Sequence, residues 1–478
     1  MPTTAKKKKS SKRAPSFRTE HDLLGKMPIP TSAYYGIQTA RAIDNFKVSG
    51  VPVSHYPDII VAFAMVKLAA ARANHDCRAL DTRRLRAIEK ACKEIIEGKL
   101  HEQFPVDIFQ GGAGTSTNMN ANEVIANLAL EHLGYARGTY DRLDPHDHVN
   151  LSQSTNDAYP TALHVATLLG NARLIAVMVE LADAFKRKGK EFRSIVKMGR
   201  TQLQDAVPMT LGQEFNAWAA SILDEVAALR AVEHFLCDAN MGGTAIGTGL
   251  NAPKGYAARC ARHLARITGK PITLAPDLIE ATQDTQAFVL YHAAMRSLCI
   301  KLSKVCNDLR LLSSGPRAGL GEINLPAMQP GSSIMPGKVN PVIPEVVNQV
   351  CFKIIGNDAC VGMAAEAGQL QLNVMEPVIA QCIFEGQTLL CNAGRTLRTL
   401  CIDGITANKD ACRNFVERSI GIVTALNPLI GYERATEIAA EALASGRGVV
   451  ELVRERKWVT DKQLRDALSP ANLTGTAR

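Results

Sequence analysis

The chain has 478 residues, 46% of them hydrophobic, 21% charged and only 5% aromatic, with a formal charge of +9. That length is too great for one ordinary core, because compact cores stop growing near ~250 residues, and a composition rich in Ala, Leu, Ile and Val favours helices over β-sandwiches. The charge argues little for nucleic acid: Lys6, Lys7, Lys8, Lys9, Lys12, Arg13 and Arg18 all precede the first acid, Glu20, so seven of the nine surplus charges sit in one tail and the body is nearly neutral.

Residues 1–19 read as a solvated, disordered tail. The stretch up to residue 152 holds shorter helical patterns separated by loops, a small N-terminal helical domain (1–152). Neither a secretory leader nor a run of 18 apolar residues free of charge is found, so the expectation is a cytoplasmic protein with no membrane span. The "HDH" of His146 to His148 lacks a partner cluster at ligand spacing and reads as a turn. Twelve cysteines at wide intervals, without a CxxC pair, fit reduced core thiols better than disulfides or zinc, and no metal site is expected.

Residues 153–407 carry the pattern that sets the fold class, all-α. Leu174, Met178, Leu181 and Phe185 step by helical intervals, as do Phe215, Trp218, Ile222, Val226 and Leu229. Leu298, Leu302, Val305, Leu309 and Leu312 form a seam with heptad spacing, suited to near-parallel packing. A fourth helix is predicted after "KVNP", using Val346, Val350 and Ile354. Helices of about 25 residues extend nearly 40 Å, so these segments predict a long central bundle. Ile175, Val177 and Val179 widen the apolar stripe beyond the seam, which implies burial against other subunits. The remainder, 408–478, reads as short helices around a Pro-marked break, a small C-terminal helical domain.

Four polar loops interrupt this helical chain: "GGAGTSTNMN" (111–120), "SQSTNDAYP" (152–160), "GRTQLQDAVP" (199–208) and "GSSIMPGKVNP" (331–341). A turn needs one or two small polar residues, whereas these loops offer Thr115, Ser116, Ser154, Thr155, Asn156, Thr201, Gln202, Ser332, Ser333, Lys338 and Asn340. Together they suit an oxygen-rich anion. Singly, each also reads as a cap or turn, and Ser154 to Asn156 could simply start the next helix. The glycines of "GGTAIGTGLN" (242–251) read as close backbone packing; a dinucleotide loop is not expected, because no strand is predicted before them.

"GSSIMPGKVNP" resembles the signature of the aspartase/fumarase superfamily, and the likeness runs from "DLLG" near residue 22 to about residue 440. The resemblance implies a three-domain, mainly helical subunit that assembles into a homotetramer, with each active site shared between three subunits and no organic cofactor. It implies loss of a proton beside a carboxylate, through an enediolate, and expulsion of a group from the neighbouring carbon to give fumarate. Such a transition state needs preorganised donors where negative charge develops. Gly331, Gly337, Lys338 and the start of the helix after Asn340 all favour a negative oxygen in this loop.

Sequence alone does not choose between the two serines; the resemblance makes Ser332 the base. It puts Thr115, Ser154, Thr155 and Ser333 around the carboxylate that becomes doubly charged. Thr201, Lys338 and Asn340 hold the other carboxylate, and Asn156 contacts the leaving amine. Arg41 matches a substrate-binding arginine, a structural ion pair being the alternative. Gln202 stands where the hydratases carry histidine, Thr155 where they tend to carry serine, and "KVNPVIPEVV" departs from their "KVNPT". These three places point to the ammonia-eliminating branch, L-aspartate to fumarate and ammonia, and leave open which group protonates the ammonia. Fumarate hydration, a larger-substrate lyase acting on argininosuccinate and a silent helical scaffold remain the alternatives.

Overall fold

The computed structural model describes residues 16–475; residues 1–15, and with them most of the basic tail, lie outside the described residues. The tail was expected to reach residue 19, yet strand β1 (Phe17–Asp22) pairs antiparallel with β2 (Gly25–Pro30). Arg18 explains the difference. Its guanidinium bonds Glu20 at 2.7 Å and donates to the carbonyls of Pro30, Ala33 and Tyr35, which fastens the strand to the turn beyond it.

Helices α1 (Ile37–Asn45), α2 (Pro57–Asp76), α3 (Thr82–Ile96), α4 (Thr115–His132) and α5 (Thr155–Glu191) follow. Next come the hairpin β3 (Val196–Thr201) and β4 (Gln204–Thr210), α6 (Leu211–Ala231), β5 (Asp238–Ala239), α7 (Tyr256–Thr268), β6 (Thr273–Leu274), α8 (Glu280–Gln283) and α9 (Gln286–Leu312). After β7 (Ile323–Asn324) come α10 (Val342–Glu366), α11 (Glu376–Leu400), β8 (Thr406–Ala407), α12 (Lys409–Arg418), α13 (Asn427–Ile430), α14 (Tyr432–Ser445), α15 (Val449–Arg456), α16 (Asp461–Ala467) and α17 (Pro470–Leu473). The fold is mainly helical, as expected, and the described strands form two-stranded pairs only. One such pair corrects the sequence reading: β5, paired parallel with β6, does precede the 242–251 glycines. Those glycines still serve packing, since a Cβ on Gly247 would lie 2.4 Å from the Ile279 backbone.

The described residues divide into two compact units. In the first (16–171, 232–292 and 358–385), α2 packs against α3, α4 and α7. Pro57 sits at the start of α2, where its missing N–H costs nothing, and Ile59, Ile60, Phe63, Val66 and Leu68 are buried on several faces. Asp81 caps α3 by accepting from the Arg84 N–H at 2.9 Å. The "HDH" residues do form a turn: Asp144 Oδ1 accepts from the His146 and Asp147 N–H groups, and the Asp144 N–H donates to His148 Nδ1.

In the second unit (172–231, 293–357 and 386–475) the three predicted seams are buried throughout, with Phe185 against Phe215 and Trp218. The fourth helix forms, but its buried line is Val347, Cys351 and Ile354; Val346 is exposed and Val350 half-buried. Ile354 is buried as expected, whereas the first two positions are displaced by one residue, where Asn348, on the inner face, donates to the Ser303 carbonyl and hydroxyl. Ile175 and Val177 are buried within the chain itself, so they do not report subunit contact, whereas Val179 is only half-buried. Helix α11, which the periodicity reading did not count, packs against Val177: Gly394 lies so close that a Cβ would come 2.6 Å from Met178 and 2.8 Å from Val177. Met198, Ile422, Leu426, Ile438, Leu452 and Leu464 form the core of the C-terminal helices. Helix α5 is long and apolar enough to cross a membrane, with mean hydropathy 1.6 over its most apolar window, but 67% of that window is buried inside the protein, as in a core helix.

Candidate active site

Ser154, Thr155 and Asn156 open α5 in the first unit. Ser154 caps the helix, its Oγ accepting from the Asn156 N–H at 3.2 Å while its own N–H donates to Asp157 Oδ1 at 2.9 Å. Pro160, inside the helix, cannot supply the N–H that the Asn156 carbonyl expects four residues on. Asn240 Nδ2 donates to that carbonyl instead, at 3.0 Å. The Asn156 amide donates to the Ala245 carbonyl at 2.8 Å, and its oxygen receives no donor among the described residues. Thr115 stands at the start of α4, its hydroxyl donating to the Gly112 carbonyl at 2.7 Å.

Beneath this segment is a buried polar cluster that the sequence reading missed. Lys67 Nζ, on α2, donates to Asn118 Oδ1 at 2.7 Å, Asn150 Oδ1 at 2.9 Å and Gln153 Oε1 at 2.9 Å. Asn118 Nδ2 in turn donates to Thr155 Oγ1 at 3.1 Å. Asp157 accepts from the Gly242 and Thr244 N–H groups, both at 3.0 Å. Burial pulls the Lys67 ammonium down to about 7 and pushes the Asp157 carboxyl up to about 6, each partly offset by the attraction between the two. The signal was available: Lys67 is the only charge between Asp58 and Arg72, and a lysine alone in an apolar run needs buried acceptors.

In the second unit the 331–341 loop is closed at its neck. The Gly331 N–H donates to the Lys338 carbonyl at 2.7 Å and Asn340 Nδ2 donates to the Gly331 carbonyl at 2.8 Å. Ser332 Oγ accepts from two backbone N–H groups, Ile334 at 3.2 Å and Met335 at 2.9 Å. Ser333 is exposed, and no backbone N–H points at its hydroxyl among the described residues. The Lys338 ammonium is exposed and makes no hydrogen bond or ion pair among the described residues. Residues 336–341 line an open cleft of about 700 Å³ with Arg310, Ser313, Ser314 and Asn324.

Thr201 and Gln202 lie at the tip of the β3–β4 hairpin, which sequence reading had as a loop. Thr201 pairs with Gln204 across a two-residue turn whose members, Gln202 and Leu203, have φ of 53° and 62°. Both candidates are exposed there. Behind them Arg200 bonds Glu322 at 2.6 Å, and Lys197 bonds Glu214 at 2.6 Å and Glu322 at 3.0 Å, a buried ion network that fixes the hairpin base. Arg41 takes the structural alternative: Nε and Nη2 grip both oxygens of Asp22, at 2.6 and 2.7 Å, and bind α1 to the first hairpin. Among the described residues no cluster of three or more His, Cys, Asp or Glu side chains is arranged to hold a metal.

The family profile described as "Lyase" matches residues 25–356, and that described as "Fumarase C C-terminus" matches residues 422–475. The chain belongs to the aspartase/fumarase lyase family. It is 60% identical over 461 residues to the aspartate ammonia-lyase of Pseudomonas canavaninivorans, covering 96% of this chain and 97% of that one. A fumarate lyase:delta crystallin of Brucella melitensis, solved bound to cobalt, superposes with a TM-score of 0.92 at 54% identity, covering 95% of this chain and 98% of that one. The class II fumarase of Schistosoma mansoni superposes with a TM-score of 0.89 at 33% identity, covering 97% and 100%. The family's signature loop is thus the one whose serine receives two backbone donors.

Proposed function

We propose that this chain is an aspartate ammonia-lyase, catalysing the reversible elimination of ammonia from L-aspartate to give fumarate. The higher identity to the Pseudomonas ammonia-lyase than to the Schistosoma fumarase, 60% against 33%, favours ammonia over water as the leaving group. The geometry that carries the chemistry is the Ser332 hydroxyl under two converging N–H groups. Hydrogen bonds to a charged acceptor contribute about 1.5–3 kcal/mol each, so the pair favours an alkoxide at Ser332. Lys338 and the N-terminus of α10 act in the same sense. Ser332, having given its own proton to solvent, thereby takes as the alkoxide the proton from the β-carbon of aspartate and becomes the hydroxyl, and the electron pair moves onto the β-carboxylate as an enediolate. The pair then returns to form the double bond as ammonia leaves the α-carbon.

In this proposal Thr115, Ser154, Thr155 and Ser333 surround the β-carboxylate, Thr201, Lys338 and Asn340 hold the α-carboxylate, and Gln202 contacts the substrate beside Thr201. The side-chain oxygen of Asn156 accepts from the substrate ammonium. Arg41 acts indirectly, through the hairpin it holds. We further propose a cytoplasmic homotetramer of three-domain subunits (1–152, 153–407 and 408–478) whose sites are shared between three chains. Support comes from apolar side chains left in water: Ile334, Met335 and Val339 on the loop, and Phe352 and Met363 on α10. The test offers L-aspartate, malate and argininosuccinate separately and follows fumarate by ultraviolet absorbance. Aspartate alone should give rapid turnover; malate as the preferred substrate would overturn the assignment in favour of hydration.

A further inference from the structure

Lys67 is fully buried, and in its charged form its three protons meet three oxygens. An ammonium has donors only, so the atom Asn118 turns toward it must be the amide oxygen, whatever the rest of the cluster prefers. The Asn118 NH₂ is then forced to the opposite side, where it meets Thr155 Oγ1 at 3.1 Å and Asn150 Oδ1 at 3.2 Å. Thr155 Oγ1 is in this way an acceptor toward the protein interior, and its own proton has no acceptor among the described residues. Thr155 is half-buried at the first turn of α5, where helix N–H groups already favour an anion.

We propose that Lys67 is a positioning residue for the anion site: through the Asn118 amide it fixes the direction in which the Thr155 hydroxyl donates, so that the proton is presented outward to a substrate carboxylate. The proposal rests on the lyase reading for the identity of that carboxylate, but not for the polarity of the relay. A threonine hydroxyl free to rotate would spend part of its time donating inward and would have to reorganise on binding. Locked from beneath, it is a preorganised donor.

The discriminating variant is Asn118→Asp. It keeps the volume and the acceptor for Lys67, gaining a compensating charge, yet cannot donate to Thr155, whose proton would turn inward to the new carboxylate. Thr155→Val removes the donor outright. With L-aspartate, each single variant should lower kcat/KM by about 10- to 100-fold, the range for a hydrogen bond to a charged group. The double variant should show no further loss, because both changes delete the same bond. Lys67→Met, where it folds, should likewise add nothing to Thr155→Val. Losses that multiply in the double variant, or unchanged kcat/KM in folded Asn118→Asp, would overturn the proposal. Neutron diffraction from crystals of the full deuterated chain gives a readout independent of activity. The Thr155 deuteron should point away from Asn118 in the wild type and toward residue 118 in Asn118→Asp. A wild-type deuteron on the line to Asn118 would refute the relay; a wild type that releases no fumarate from aspartate, with the outward deuteron present, would instead fail the lyase reading.

Discussion

Replacing Gly331 by alanine tests how tightly the loop neck sets the position of Ser332. A Cβ at Gly331 would lie 2.6 Å from the Lys338 carbonyl oxygen and 2.8 Å from the Asn340 nitrogen, both backbone atoms that cannot rotate aside. Overpacking of this kind costs about 1–3 kcal/mol, and the cheapest relief is to open the neck and give up its two hydrogen bonds, about 0.5–1.5 kcal/mol each. The serine that follows then moves. A shift of about 1 Å at a reacting group costs roughly 10²-fold, so kcat/KM for aspartate should fall about a hundredfold. The melting temperature should hardly change, because residues 333–339 are exposed and hold no core together. Gly337→Ala is the control: its φ of 81° is left-handed, yet nothing lies within 4 Å of a Cβ there. The left-handed penalty of about 1–2 kcal/mol limits its effect to about tenfold or a little more. Fumarate absorbance and thermal melting by circular dichroism are the measurements. Equal activities in the two variants would refute the view that the neck positions the base.

Three further outcomes follow from the structure. Glu322→Ala leaves Arg200 without its partner and Lys197 with Glu214 alone, so urea unfolding should show a loss of about 3–5 kcal/mol, the cost of breaking a buried pair; a loss under about 1 kcal/mol would contradict the network's role. Glu376 is buried without a hydrogen bond or ion pair among the described residues, and burial pushes its carboxyl up to about 8. A raised carboxyl contributes stability that is complete below about 4.5 and is lost as pH rises through about 8, an upper bound of about 5 kcal/mol, so Glu376→Gln should flatten that decline; an unchanged pH profile of unfolding would reject it. Mixing an inactive Ser154→Ala, Thr155→Val chain with an inactive Ser332→Ala chain should regain part of the activity if sites are shared between subunits, and no recovery despite verified subunit exchange would count against sharing.

The long helices were legible because burial repeats along them: Leu298 to Leu312 read as a seam and are a seam. The shift on α10 was not legible, since Val346 and Val347 are equally apolar and the choice is made by the polar Asn348 beside them. Helix α11 escaped because its cysteines, threonines and glycines dilute the apolar period. The polar loops were found by composition, but their internal order was not: that Ser332 rather than Ser333 receives two N–H groups is a matter of backbone path. Lys67 shows the reverse case, a residue visible as an anomaly whose meaning required three amides from distant parts of the chain.

Replacing Ser332 by alanine removes the oxygen under those two N–H groups and little else. With L-aspartate as substrate and circular dichroism and thermal melting at wild-type values, fumarate release should fall by about 10³-fold or more, a loss in kcat rather than in KM, as expected for a group that acts in the transition state. Turnover within a few-fold of wild type in that folded variant would show that some other group takes the proton.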